Sequence, residues 1–515
     1  MKIAYLNCLL LALTVFCSCS QTAPENVNKP NIIVIYVDDL GYGDLSCYGA
    51  KAVHTPHVDE LANKGLLFTD AHSSASTCTP SRYSLLTGSY AFRNNAAILP
   101  GDAPLIIDTG SVSMADMLKS AGYATAVIGK WHLGLGDGKP DWNAAIKPGP
   151  REIGFDYSFL IPATADRVPT VFTENQRVVN LDKNDPIAVD YDHQIGTFPT
   201  GLSSPELLKM KADTQHSGTI INGISRIGFM SGGTNAHWKD EDFASVLAGK
   251  AKEFINNHKD KPFFIYYSLP SIHVPRSPNA KFVGATKMGP RGDDIVQMDW
   301  MVGEVMKNLR EAGIEKNTLV IFSSDNGPVL DDGYADQAVE LIGKHQPSGI
   351  YRGGKYSAYE GGTRMPTIAY WPEVIEPGKS DALFSQVDFF ASLAKLVGQE
   401  INSSKNAVDS QDMSEVLLGK SKKGRTTMIQ ESFTLSIRSG DWKYIAPVSK
   451  EVPVWLANKD IETGLSKAPQ LYNIKEDQKE MNDLANKYPE KVKALAEELN
   501  KLKMGSAKVI NPKID

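Results

Sequence analysis

The sequence predicts an α/β fold, a mostly parallel sheet with helices on both faces, carrying a smaller C-terminal α+β domain. Three observations lead there. Short β-branched apolar runs alternate with amphipathic stretches. Polar and charged residues follow directly after four of those runs. Past about residue 400 the chain turns polar and turn-rich, then reads as short strands and one terminal helix.

NIIVIYV (31–37) is a short apolar run of the kind that forms a buried strand. His54–Thr55–Pro56 punctuates the chain before a helix, HVDELANKG, that Gly65 stops. LLFTDAH reads as one further strand, and SVSMADMLKSAG as a helix with a serine start and a glycine stop. YATAVIG, KPFFIYYSL, NTLVIFSS and PTIAYW are strands, with a long amphipathic helix, DDIVQMDWMVGEVMKNLREAG (293–313), between two of them. INSSKNAVDSQDMS marks a boundary. Beyond it, TTMIQESF, LSIRSGDWKYI and APQLYNI read as antiparallel strands and YPEKVKALAEELNKLK as an amphipathic helix. The division expected is a leader at 1–19, a catalytic region at 28–400 and a C-terminal subdomain at 401–515.

At 515 residues, 42% hydrophobic and 22% charged, the composition is globular. A net charge of −6 argues against a nucleic-acid partner. The first residues, MKIAYLNCLLLALTVFCSCSQ, combine Lys2 with an apolar run of secretory length, so an exported protein is expected. Ser18–Cys19 looks like a loose bacterial lipoprotein site, with Cys19 as the lipidated first residue of a periplasmic or outer-membrane lipoprotein; ordinary signal-peptidase cleavage is the alternative. No later stretch reaches about 18 uninterrupted apolar residues, so no membrane span is expected. Removing Cys8, Cys17 and Cys19 leaves Cys47 and Cys78, as a disulfide or as two thiols.

In open α/β sheets ligands sit beyond the carboxyl ends of the strands. There the chain places Asp38–Asp39, Lys130–Trp131–His132, His273 and Asp325–Asn326–Gly327. Asp38, Asp39, Asp325 and Asn326 offer only oxygen, a set suited to Ca²⁺ or Mg²⁺ rather than zinc. Lys130, His132, His273 and Lys355 could neutralise an oxyanion ester and handle protons. Lys355 sits in a glycine-rich segment, RGGKYSAYEGGTRMP, suited to passing close to a ligand. In ASTCTPSRYSLLTG (75–88), a helix expected over Tyr83–Ser89 puts Cys78 to Ser81 at its N-terminus, where a thiol becomes more acidic. A phosphatase-like cysteine loop is one reading of that feature. It is disfavoured because only Thr79 to Ser81 separate Cys78 from Arg82, too few for an anion-cradling loop.

CTPSR, VDDLGYGD, GKWHLG, SSDNG and GGKYSAYEGGTRMP together resemble the motifs of the type I, formylglycine-dependent sulfatases of the arylsulfatase A kind. The resemblance implies an alkaline-phosphatase-like fold and oxidation of Cys78 to formylglycine by a maturation enzyme that reads Pro80 and Arg82. It implies Ca²⁺, with Mg²⁺ second, held by Asp38, Asp39, Asp325, Asn326 and residue 78. Arg82 would stabilise the modified side chain, while Lys130, His132, His273 and Lys355 would bind sulfate or move protons. Residues 160–240, with Arg167, His193 and His216, and the loop around His345 lie outside the shared motifs and are expected to shape the substrate pocket. A carbohydrate sulfatase acting on galactose- or N-acetylgalactosamine-type sulfated glycans is the function expected. A phosphate or phosphonate ester hydrolase of the same superfamily and a non-catalytic glycan-binding lipoprotein are the alternatives.

Overall fold

The computed structural model describes residues 29–402, 405–449, 451–457, 459 and 461–504. The leader and Cys19 lie outside the described residues. In chain order the large sheet is made of β1 (Asn31–Val37), β2 (Leu66–Phe68), β3 (Ala124–Lys130), β4 (Tyr157–Ile161) and β5 (Thr173–Glu174). It continues with β6 (Arg177–Val178), β7 (Phe263–Ser268), β8 (Thr318–Ser324), β9 (Thr367–Tyr370) and β10 (Gly378–Ser380). Their spatial order is β10-β2-β9-β8-β1-β7-β3-β4-β5-β6. The middle of the sheet, β8-β1-β7-β3-β4, is parallel throughout. Antiparallel pairs join β8 to β9, β9 to β2, β4 to β5 and β5 to β6. The expectation of a mostly parallel α/β sheet holds at the centre, and the whole is mixed.

Every residue of β1 is buried because the sheet is covered on both faces. Side chains alternate between the two layers. Ile32, Val34 and Tyr36 join one core, with Leu85 and Leu86 of α2 (Cys78–Thr87) and Met114 and Leu118 of α3 (Met114–Ser120). Ile33, Ile35 and Val37 join the other. There they meet α1 (Pro56–Lys64), α4 (Phe243–His258) and the long α5 (Gly289–Glu311). A second sheet, β11 (Thr427–Glu431), β12 (Leu435–Ser439), β13 (Trp442–Ile445) and β14 (Gln470–Asn473), is antiparallel throughout. Leu495 and Leu499 of the terminal helix α6 (Pro489–Met504) pack on it.

Two local expectations change. LLFTDAH is not one strand: Leu66–Phe68 joins the large sheet, whereas Ala71–His72 pairs with Phe384–Ser385. Asp70 turns the chain there and accepts from His72 Nε2 at 2.8 Å. Helix α2 begins at Cys78 itself rather than at Tyr83, keeps Pro80 in its first turn, and ends at Gly88 in the left-handed region (φ 64°). Cys47 and Cys78 are both free thiols, so the disulfide reading falls. Among the described residues no helix is long and apolar enough to cross a membrane.

Candidate active site

The ends of β1, β3, β7 and β8 converge because their loops are tied to one another: Asp38 N–H donates to Ser271 O at 3.0 Å, and Asp325 N–H to Val37 O at 3.0 Å. Asp39 and His132 hold positive φ (61° and 55°), a conformation costly for residues other than glycine and retained where surroundings over-determine it.

At the centre is Cys78, whose Sγ lies 3.6 Å from Asp38 Oδ1. Lys130 Nζ donates to Asp38 Oδ2 at 2.5 Å. Lys355 Nζ donates to Asp39 Oδ2 and to Asp332 Oδ2, both at 2.9 Å. Arg82 is fully buried, donating through Nη2 to Asp325 Oδ2 at 2.6 Å, through Nη1 to Tyr266 Oη at 3.2 Å, and to Ser268. Asn326 Nδ2 donates to Asp39 Oδ1 at 2.7 Å. Burial pushes the Asp38 carboxyl above its ordinary range, with Asp325 and Asp39 adding to the shift and Lys130 opposing it. Burial acts on Asp325 in the same sense, but Arg82 and Lys130 outweigh it and hold that carboxyl low.

These residues fit a hard divalent cation. Asn326 Oδ1 is buried with no hydrogen-bond partner, an orphaned acceptor beside three crowded carboxylates. Ligand atoms of Asp38, Asp39, Cys78 and His273 all lie within 4.8 Å of one another. With Asp325 and Asn326 added, four of these six side chains offer oxygen, as Ca²⁺ or Mg²⁺ prefers.

Both imidazoles have one nitrogen fixed by a backbone carbonyl. His132 Nε2 lies 2.9 Å from Leu99 O and must carry the proton, which leaves Nδ1 as an unpartnered acceptor. His273 Nδ1 lies 2.7 Å from Val274 O, which leaves Nε2 free, 3.9 Å from Asp39 Oδ2. Burial, then Lys130, holds His132 far below the usual histidine value; burial, then Lys355, brings His273 to about 4. Burial pushes the Cys78 thiol up, against the pull of Lys130. That burial works against any acidifying effect of the helix N-terminus on this thiol.

A cavity of about 260 Å³ opens over Cys78, His132, His273 and Lys355. Arg167 and His216, expected from the insertion, also line it. Arg167 Nη1 donates to Asp166 Oδ1 at 2.8 Å; His216 Nδ1 lies 2.7 Å from Asp213 Oδ1, with Nε2 3.5 Å from Asp166 Oδ2. His193 and His345 do not line it. The His193 side chain is 83% exposed and sits beside Asp190 and Asp192, so it belongs to a solvated turn. The His345 side chain is buried, with its Nε2 2.8 Å from Asp44 Oδ1, a carboxylate that also takes both Nη groups of Arg291, so it fastens a loop. Sequence reasoning missed Asp166, Tyr356 and Trp455 in the lining and Asp332 behind Lys355. Asp332 follows Asn326 by six residues and Asp166 precedes Arg167, so both had a signal; Trp455 comes from the tail and had none.

The arrangement is that of an ester hydrolase built to receive a small oxyanion beside a divalent cation. The chain belongs to the sulfatase family, whose model matches residues 30–399. N-acetylgalactosamine-6-O-sulfatase of Bacteroides thetaiotaomicron is 52% identical over 503 residues, spanning 96% of this chain and 98% of that protein. Human arylsulfatase A is 33% identical, over 78% of this chain and 70% of its own length. A solved B. thetaiotaomicron structure, titled for the metabolism of multiple glycosaminoglycans, superposes with a TM-score of 0.90 at 53% identity, covering 92% of this chain and 99% of that one. The protein is accordingly a sulfuric ester hydrolase.

Proposed function

We propose that this protein is an exported carbohydrate sulfatase that removes sulfate from galactose- or N-acetylgalactosamine-type glycans, with residue 78 matured to formylglycine. The observation that carries the reading is the joint placement of Cys78, Lys355, His132 and His273 around one 260 Å³ cavity, with Lys130 held against Asp38 behind Cys78. The sugar class follows from likeness to the N-acetylgalactosamine-6-O-sulfatase over almost the whole chain. Asp38, Asp39, Asp325, Asn326 and residue 78 would hold Ca²⁺, which supplies positive charge to the nucleophile and the sulfate oxygens when bound.

In this reading Lys130 and Lys355 take the sulfate oxygens, and Arg82 holds residue 78 and Asp325 in place. One hydroxyl of the residue-78 hydrate attacks sulfur in line, and the bond from sulfur to the sugar oxygen breaks. The proton of the attacking hydroxyl passes to one of the two imidazole lone pairs, and that imidazolium gives it to the leaving sugar oxygen. Loss of the proton on the second hydroxyl then breaks the carbon–oxygen bond to sulfate and restores the aldehyde. The His132 Nδ1 and His273 Nε2 lone pairs are the proton-handling groups.

The test joins peptide mass spectrometry with turnover. Matured protein should show residue 78 with two hydrogens and sulfur exchanged for one oxygen, and should release sulfate from a sulfated galactose and N-acetylgalactosamine panel. Cys78→Ala should bind those sugars yet lose turnover by about a thousandfold or more. Retained activity in Cys78→Ala, or preference of the matured enzyme for phosphate esters, overturns the reading.

A further inference from the structure

We propose that a second cleft, beside the catalytic cavity, is the subsite for an uncharged sugar joined to the sulfated one. This rests on the glycan reading above and extends it to the neighbouring residue of the chain.

The cleft has a volume of about 640 Å³ and shares a wall with the catalytic cavity, since Gln215 and Trp455 line both. The catalytic cavity, at about 260 Å³, is below the usual size of a ligand site, whereas the cleft is well within it. A sulfated sugar seated over residue 78 thus has one roomy neighbour into which the next sugar can extend. The shared wall is built for a sugar ring. Trp455 packs edge-on against Tyr356, with ring centres 5.1 Å apart, and against Phe433 at 6.1 Å. Tyr356 in turn accepts its position from Asp332, to which its hydroxyl donates at 3.2 Å. An anchored aromatic ring gives a broad apolar contact at little cost in side-chain entropy.

Charge selects the class of sugar. Asp213 is engaged by His216 and Lys459, and Asp336 by Arg276. Among the described residues of the lining, Lys211, Asp331 and Glu340 are exposed and have no ion-pair partner, so two carboxylates there face one ammonium group. A uronate or a second sulfate ester placed in this cleft would meet repulsion. A neutral hexose or hexosamine meets none.

The experiment compares KM for sulfate release by the matured enzyme on three substrates. They are a sulfated monosaccharide that it turns over, the same sugar linked to an uncharged sugar, and the same sugar linked to a uronate. The expected result is a KM about 2- to 10-fold lower for the neutral-linked disaccharide than for the monosaccharide, the scale of one aromatic contact. The uronate-linked one should gain nothing. Val339→Trp, at an exposed position that lines the cleft alone, should erase the advantage and leave monosaccharide kinetics unchanged. Glu340→Lys should lower KM for the uronate-linked substrate selectively. Equal KM values for monosaccharide and neutral disaccharide, or an advantage that survives Val339→Trp, overturns the subsite while leaving the sulfatase reading intact. Failure of fully converted enzyme to release sulfate from any sulfated galactose or N-acetylgalactosamine, so that no such monosaccharide can be chosen, overturns the glycan reading and the subsite with it.

Discussion

Lys355 owes its position to a residue outside every motif. Its ammonium lies between Asp39 and Asp332, and Asp332 is itself gripped by Tyr356 Oη. Burial works against ionisation of Asp332, but Lys355 outweighs it and keeps the carboxyl well below its ordinary range. Asp332→Asn should leave Lys355 with half its anchorage and lower kcat/KM by about 10- to 100-fold, the usual scale for a group that orients a site residue from behind; sulfate release reads it. His216 offers a pH test. Burial opposes its charge, while Asp166 and Asp213 outweigh burial and raise its pKa above 6.5. The folded protein thus binds protons there more tightly than the unfolded chain. The stabilisation is complete below 6.5 and is lost as pH rises through the folded value. Thermal melts should show Tm falling above pH 6.5, with a shallower slope in His216→Gln. At this scale the sequence disclosed the residues that strand ends deliver, Asp38, Asp39, Lys130 and Asp325, because a strand points its terminus at the sheet edge. It could not disclose Trp455, which reaches the cavity only through packing of the tail, nor separate His216 from His193, which differ only in tertiary surroundings.

Helix α3 shows what an element scale reading can carry. Ser113 Oγ accepts from Asp116 N–H at 3.1 Å, and Asp116 Oδ2 accepts from Ser113 N–H at 3.1 Å, a reciprocal cap whose serine was visible in SVSMADM. The same hydroxyl donates to Ile153 O at 2.6 Å. Ser113→Ala should cost about 1 kcal/mol, read as a lower urea midpoint with an unchanged m value. Strands and long helices were legible because their periodicities are local. The break in LLFTDAH was not, because Asp70 is committed to His72 and to Arg364, almost 300 residues away. The start of α2 was set five residues late for a related reason. Cys78 to Arg82 carry no helical hydrophobic pattern, being buried with mostly polar side chains.

At the scale of the molecule, the two sheets are joined through buried charge. Glu360 Oε1 lies 3.1 Å from Lys443 Nζ on β13, and Glu360 Oε2 lies 2.9 Å from Arg364 Nη1 and 3.5 Å from Arg438 Nη1 on β12. Lys443 also meets Glu480 Oε1 at 3.0 Å, and neither Glu360 nor Lys443 is exposed. Removing one buried partner strands the others, so Lys443→Met should destabilise the protein by about 3–5 kcal/mol in denaturant titration. Because these ion pairs cross from residue 360 to residues 438 and 443, we propose that the regions before and after residue 400 unfold in one transition. The fold class could be read from the alternation of strand and helix patterns, but the coupling of the two sheets through Glu360 could not.

The pentapeptide Cys78 to Arg82 is buried at every position, and Cys78 is 3% exposed. A converting enzyme cannot read as an extended peptide a segment that already forms the buried first turn of a helix. On the maturation proposed here, oxidation of residue 78 is therefore in a race with folding, and a chain that folds first is locked into its thiol form. The topology lengthens the race. Strand β1 closes only on partners some 230 and 290 residues downstream, and pairing at that separation is slow. The yield of active enzyme is then fixed during biogenesis, by how long the unfinished sheet leaves that segment extended.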